Sequence, residues 1–464
     1  MSFGIEDVVA RDMCIGCGAC CVVTKGSIEV SLSANRIYRA NLMGASELSL
    51  RKASRVCPFS DESLNEDELG APVGTQVQFQ SHPVLGSYSR TMVARVADDD
   101  VVFESSSGGM ASWLVSELVA AGEIDGVIHV VAAQRGSGEL FEYGISTGDQ
   151  LWSHRKSAYY AVTMADVLET VLAGGGRYAV VALPCFIRAI RCMCIELPEL
   201  AERVHYFVGL MCGHAKTQAF AESLAWQLGV APPDIEAVDF RVKDLGRPAS
   251  SYSFGVRTSG DGWRVRRSND LVGSSWAYGV FQPEACNFCD DVVGETADVS
   301  VGDAWLPRYV QDGRGTNLLV SRNPRIDALL ESGMGSGAIW GENVSPDDVC
   351  RAQAGGIRHR REGLALRLAD DLNLGLAVPR KRVAPNVNAV SSRRAALLRQ
   401  RRRMSALSHV AFAKAVNEGR IDSYLQAMRR ESARYHRLEA TLARRFLRGV
   451  MNALRRLRFG ALRD

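Results

Sequence analysis

The sequence predicts an α/β protein in three parts. A small cysteine-rich N-terminal segment precedes a central mixed or parallel α/β domain, and a basic helical extension closes the chain. Three observations predict this. Strand-length apolar runs alternate with helical repeats from about residue 84 onward. Four of the twelve cysteines fall between Cys14 and Cys21. The charge also changes sign along the chain: from Ser391 to the end there are 19 Lys and Arg against 5 Asp and Glu, a net of +14, so the remainder must carry −11 for the whole to reach +3.

With 464 residues, 47% hydrophobic and 23% charged, the composition is that of a globular chain of several domains. It excludes a disordered, collagenous or disulfide-stapled protein. No run of about 18 apolar residues occurs, which excludes a membrane-spanning helix. The opening MSFGIEDVVARDMC lacks the apolar stretch of a secretory signal, so a cytoplasmic protein is expected. In that reducing compartment, twelve cysteines point to metal rather than disulfides.

The elements follow in order. Residues 1–80 form the cysteine-rich segment. Residues 81–170 begin the α/β pattern: a Ser/Gly loop at 105–109 leads into MASWLVSELVAAG, where Met110, Leu114 and Leu118 recur at helical spacing and Gly122 supplies a stop. A strand over 126–133 and a helix over 161–172 follow. Residues 171–345 hold strands at 178–183, 204–210 and 297–305, with a β-rich insertion at 235–285. Alternating strands and helices argue for a largely parallel sheet, whose ligand sites lie beyond the strands' carboxyl ends. Cys185 and Cys212 stand at that edge. Residues 346–390 are expected to be a linker. Residues 391–464 are expected to be basic helices separate from the chemistry, the last over about 422–459.

Cys14-Ile-Gly-Cys17-Gly-Ala-Cys20 is the strongest local signal. Three thiolates at this spacing wrap one face of a 4Fe-4S cube, and the glycines let the backbone approach it. Cys57, followed by Pro58, and Cys21 are the candidates for the fourth ligand. The competing reading is a structural zinc knot. A second set comprises Cys185, Cys212 and the pair Cys286-Asn-Phe-Cys289. Converging, these would hold a second cluster. Taken singly, the first two read as buried apolar thiols and the pair as zinc or redox.

Ser106, Ser107, Gly108 and Gly109 open a helix, where bare N–H groups could receive a flavin phosphate or simply cap the helix. Asp303, in Val-Gly-Asp-Ala-Trp, could bind a ribityl hydroxyl or shuttle a proton, or could be a turn residue. His214 could donate a proton near a flavin, or lie in a solvated loop. Lys156, in RKSAYY, could bind phosphate or start a surface helix. In the extension, Tyr435, Leu438, Leu442, Phe446, Val450, Leu454 and Leu457 form an apolar stripe among arginines. That is a basic amphipathic helix suited to an anionic membrane surface or an acidic protein partner, or packed on its own protein. Few aromatics interleave with the charges, so sequence-specific nucleic-acid binding is not expected.

Cys286-Asn-Phe-Cys289-Asp290 followed by ADVSVGDAW looks like the CxxCxD…ADISxGDAW element of one family. SSGGMASWLVSELVAAGEIDGVI, LPCFIRAI, GLMCGH, DFRVKD and GRGTNLLVSR support it in the same order. On these motifs the chain resembles the coenzyme F(420) hydrogenase/dehydrogenase beta-subunit family. Relatives include flavin and iron–sulfur reductases such as 7-hydroxymethyl chlorophyll a reductase. The resemblance implies FAD or FMN beside two 4Fe-4S clusters, with Cys185, Cys212, Cys286 and Cys289 ligating one of them. It makes the first segment ferredoxin-like, the central part a flavin domain, and the Ser/Gly loop a flavin contact. The implied activity passes electrons between a hydride carrier, such as the deazaflavin coenzyme F(420), or a small organic substrate, and a one-electron partner such as ferredoxin. The distant Cys57 and the basic extension depart from the family pattern. The alternative from another class is a zinc-stabilised binding protein whose basic tail engages membrane or nucleic acid.

Overall fold

Eight strands form one mixed sheet in the computed structural model, which describes residues 2–70, 79–134, 136–260 and 262–440. In chain order they are β1 (Arg90–Val96), β2 (Gly126–Ala132), β3 (Phe141–Ser146), β4 (Tyr178–Ala182), β5 (Val204–Leu210), β6 (Val299–Asp303), β7 (Asn317–Ser321) and β8 (Ile339–Asn343). Their spatial order is β8-β1-β7-β6-β5-β4-β2-β3. The central four, β2, β4, β5 and β6, run parallel, and antiparallel pairs flank them on both sides. The sheet draws strands from both 81–170 and 171–345, so these stretches build one unit.

Period-two alternation explains the layering. Val127, Ala179 and Val208 face one side, with helices Met110–Ala120 and Pro324–Ser336 packed there through Leu114, Leu118, Ile326 and Leu330. Their neighbours Ile128, Val180 and Phe207 face the other, larger core with helix Pro184–Glu196. Against that helix lies the N-terminal segment, built from helices Ile5–Ala10, Ala19–Val23 and Glu47–Val56 and the hairpin Glu29–Leu32/Tyr38–Asn41. The expected β-rich insertion contains a three-stranded antiparallel sheet of Ala237–Val242, Ser253–Arg257 and Arg264–Arg267.

Three expectations differ from the structure. The helix expected from 161 begins at Ala165, because the Met164 N–H is taken by the Cys17 carbonyl at 3.1 Å. The stretch 346–390, expected to be a linker, holds helices Pro346–Ala352, Ala354–Arg360 and Glu362–Asn373. Ser345 caps the first by accepting from the Asp348 N–H at 3.1 Å, and Leu364, Leu366 and Leu368 are buried on the third. Finally, the described part of the extension belongs to the core. Helices Ser392–Glu418 and Asp422–Glu439 pack on each other and bury Met404, Phe412, Tyr424 and Met428 in the larger core. Its apolar residues recur every three or four positions, so charge composition alone concealed a buried face. The stripe from Leu442 onward lies outside the described residues. Among the described residues, no helix is long and apolar enough to cross a membrane.

Candidate functional site

The first cysteine set encloses a cavity. Cys14, Cys17, Cys20 and Cys57 line one small pocket together with Ile5 and Phe59. Backbone N–H groups of Gly16 and Ala40 each donate to the Cys14 sulfur at 3.4 Å. The loop can bring its amides this close because Gly16 has φ +65 and a Cβ there would lie 2.2 Å from Tyr38 Cβ. Burial pushes the Cys17 thiol up to about 12 and raises those of Cys20 and Cys57. Neighbouring thiols raise them further. Cys21, in contrast, feels Glu169, Asp166 and Glu29 after burial, and does not line the cavity.

The second set assembles at the carboxyl edge of the sheet. Cys185 lies in the first turn of Pro184–Glu196, Cys212 just after β5, and Cys286 in the short turn Glu284–Asn287, with Cys289 two residues beyond it. Burial first, then the thiols of Cys289, Cys212 and Cys286, holds Cys185 well above its ordinary value. The Ala215 N–H donates to the Cys286 sulfur at 3.3 Å. The Arg360 guanidinium, 2% exposed, donates to the Cys289 sulfur and to the carbonyls of Asp291, Cys212 and Gly213 at 2.8, 2.9 and 3.0 Å. His214 is buried beside this set, with its ring 4.5 Å from Trp276. Its Nδ1 accepts from Arg401 at 3.1 Å, so a neutral ring carries its proton on Nε2. Burial, then Lys216 and Arg401, keeps that ring neutral. The buried Nε atoms of Arg360 and Arg401 and Nε2 of His214 have no hydrogen-bond partner among the described residues. Unpaired buried donors are costly, and these belong to side chains packed beside the second cysteine set.

The two sets are neighbours. Tyr143 is buried near a member of each: its hydroxyl is raised by burial, then by Cys185 and Cys17, and its ring stacks on Phe186 at 5.9 Å. Among the described residues, no group of three or more His, Cys, Asp or Glu side chains is arranged to hold a single metal ion.

A third feature is a small basic pocket at the end of β6, lined in part by Ser106, Ser107, Arg241, Lys243, Asp303 and Trp305. Arg241 donates to both Asp303 oxygens, at 2.9 and 2.8 Å. Lys243 donates to the Ser107 carbonyl at 2.8 Å, and burial, then Lys156 and Arg241, pushes its pKa down to about 7. Tyr159 sits against Arg241, 5.8 Å from guanidinium to ring, and Trp276 joins Tyr159 to His214 through ring contacts of 4.9 and 4.5 Å.

Ser106, Ser107 and Asp303 therefore share one cavity. Gly108 and Gly109 pack at the helix start instead, where the Met110 N–H is taken by Asn317 Oδ1 at 3.1 Å. Lys156 pairs with Asp239 at 3.0 Å. His214 lies with the second cysteine set rather than with Asp303. Sequence reasoning missed Arg241, Lys243, Arg360 and Arg401. DFRVKD carried the first two in plain sight, whereas nothing local marks Arg360 or Arg401.

Known proteins share much of this chain. The models of the coenzyme F(420) hydrogenase/dehydrogenase beta subunit match residues 91–169 with their N-terminal part and 175–347 with their C-terminal part. One component of the F(420)H(2) dehydrogenase of Methanosarcina mazei is 21% identical over 318 residues, covering 65% of this chain and 79% of that protein. A chain of the F(420)-reducing NiFe hydrogenase complex from Methanosarcina barkeri matches with a TM-score of 0.48 and 17% identity, over 65% of this chain and 99% of that one. The first cysteine set and the helices after residue 347 lie outside the matched models. With more than half its length matched by the two parts of one family, the chain belongs to the coenzyme F(420) hydrogenase/dehydrogenase beta-subunit family, a family of oxidoreductases.

Proposed function

We propose that this protein is a flavin- and iron–sulfur-dependent oxidoreductase that passes electrons between a hydride carrier and a one-electron partner. The observation that carries the reading is the proximity of two largely buried four-cysteine sets, with the buried Tyr143 near a member of each. Cys14, Cys17, Cys20 and Cys57 would hold one 4Fe-4S cluster, and Cys185, Cys212, Cys286 and Cys289 the other. Amide and guanidinium N–H donors directed at these sulfurs suit thiolate ligands of an iron–sulfur centre. The basic cavity would hold FAD or FMN, with Ser106, Ser107, Arg241 and Lys243 towards its phosphate.

A flavin accepts electrons in a pair and releases them singly, and iron–sulfur centres carry single electrons. The residues supply position. Arg241 fixes the Asp303 carboxylate in one orientation, leaving it able to accept a hydrogen bond from a ribityl hydroxyl. The Tyr159–Trp276–His214 ring contacts lie between this cavity and the second cysteine set. The hydride carrier is the deazaflavin coenzyme F(420) or a small organic substrate, and ferredoxin is the kind of one-electron partner that fits. Exposed Arg429, Arg430 and Arg434 on Asp422–Glu439 give an acidic partner a place to bind.

Anaerobic purification followed by absorption spectroscopy and assays of iron, sulfide, zinc and flavin tests the reading. Two 4Fe-4S clusters and one flavin require about eight irons and one flavin per chain. Colourless, zinc-containing protein would replace it with the zinc-stabilised binding protein.

A further inference from the structure

We propose that the helices beyond the matched family region complete the second cysteine centre, with Arg360 and Arg401 supplying the positive charge and N–H donors that set its reduction potential. The inference rests on the reading that Cys185, Cys212, Cys286 and Cys289 hold an iron–sulfur cluster.

Arg360 ends helix Ala354–Arg360, and Arg401 lies within Ser392–Glu418, so both come from chain after residue 347. The hydrogen-bond partners of Arg360 are a cysteine sulfur and three carbonyl oxygens, with no carboxylate among them. Those of Arg401 are His214 Nδ1 and Gln282 Oε1, at 3.1 and 3.2 Å. Arg367, 3% exposed, bonds to the carbonyls of Asn287 and His359 at 2.7 and 2.8 Å. Three guanidinium groups thus approach one another around a centre whose protein ligands are thiols. Burial, then their mutual repulsion and that of Arg402, pushes Arg367 down to about 9. Arginine keeps its charge at neutral pH.

Burying cations without paired anions is expensive, so this arrangement calls for a negative group. Four thiolates around an iron–sulfur core supply one. Adding an electron makes that centre more negative, so nearby positive charge and N–H donors to sulfur favour the reduced form. The family-matched region contributes the Ala215 N–H and the Lys216 side chain to this shell, and the helices after residue 347 contribute the guanidinium groups. Arg360 and Arg401 are positioning residues acting on the centre through its ligands.

The test is an EPR-monitored redox titration of the full chain, comparing the parent with Arg360→Gln, Arg360→Lys and Arg401→Gln. Iron and sulfide are assayed on each sample. The expected result is retained iron and a second centre with a more negative midpoint in both Gln variants. Each should lower the reduction equilibrium by about tenfold, which is about 59 mV for a one-electron couple. Arg360→Lys should lie nearer the parent, and the first centre should keep its midpoint. Retained iron with an unmoved second midpoint in both Gln variants overturns the inference while leaving the proposed function standing. Equal movement of both centres also overturns it, because that reports a general structural change. If Arg360→Gln sheds iron, Arg401→Gln decides the matter, since Arg401 bonds to no cysteine. A parent without iron removes the proposed function and the inference with it.

Discussion

Arg241 grips Asp303 with both terminal nitrogens, at 2.9 and 2.8 Å. The pair joins the three-stranded insertion sheet to the carboxyl end of β6 and fixes one wall of the basic cavity. Planar, bidentate geometry of this kind suits arginine and not lysine. Both side chains are mostly buried, at 11% and 18% exposure. Removing one partner strands the other charge.

Asp303→Ala should therefore cost about 3 kcal/mol, the lower end of the range for breaking a buried pair. Urea unfolding of the variant measures it. Arg241→Lys should also weaken flavin retention, because it keeps the charge but loses the fork. Wild-type stability and flavin content in both variants would show that the pair does not organise the cavity.

Cys57 and Cys21 make opposite predictions. Cys57 lines the first cavity with Cys14, Cys17 and Cys20, while Cys21 faces carboxylates. Cys57→Ser should lose the iron of one centre, about four atoms per chain, and Cys21→Ser should lose none. Iron and sulfide assays on anaerobically purified variants read this directly. Iron loss from the Cys21 variant alone would reassign the fourth ligand.

Lys243 gives the basic cavity a pH dependence. Its folded pKa of about 7 lies below the ordinary value of 10.5. Below pH 7 the side chain is protonated in folded and unfolded chains alike, and the burial penalty is fully present. Between pH 7 and 10.5 the folded chain sheds a proton that the unfolded chain keeps, so this group's contribution to stability rises with pH. Anion binding runs the other way, because the charge that attracts a phosphate is lost. FAD affinity should fall roughly tenfold above pH 7, as expected when one nearby positive charge is lost. Lys243→Met should be weaker below pH 7, lack that fall, and converge on the parent at high pH. Superimposable parent and variant profiles, from fluorescence titrations between pH 6 and 9, would rule Lys243 out.

Much of this architecture was legible in the sequence because it depends on short-range patterns. The apolar runs of β2, β4 and β5 stand out between glycines and prolines, and the cysteines at 14, 17 and 20 carry their spacing with them. Phe141–Ser146 and Ile339–Asn343 were harder to see, since edge strands are half exposed and mix polar with apolar residues. Lys243 was hidden because its partners are backbone carbonyls of residues 102, 107 and 314, far away in sequence. Arg360 was hidden for a related reason. An arginine among basic helices reads as solvated until the fold shows it 2% exposed beside Cys289.

The same blindness affected the C-terminal helices, whose charge suggested an independent tail. Phe412 tests the structural view. It is 2% exposed, and its ring meets those of Phe281, Tyr424 and Trp226 at 5.5, 5.6 and 6.1 Å. Phe281 and Trp226 come from the family-matched region, so these contacts tie the extension to the body. Phe412→Ala should cost about 3–5 kcal/mol, the usual penalty for emptying a buried aromatic site. Val410, two residues earlier and 67% exposed, is the control: Val410→Ala should stay within about 0.5 kcal/mol of the parent. Thermal unfolding of both variants separates the cases. If the extension is an integral part of the core, Phe412→Ala lowers the single main transition. If the extension folds independently, the main transition stays in place and only a minor, earlier one moves.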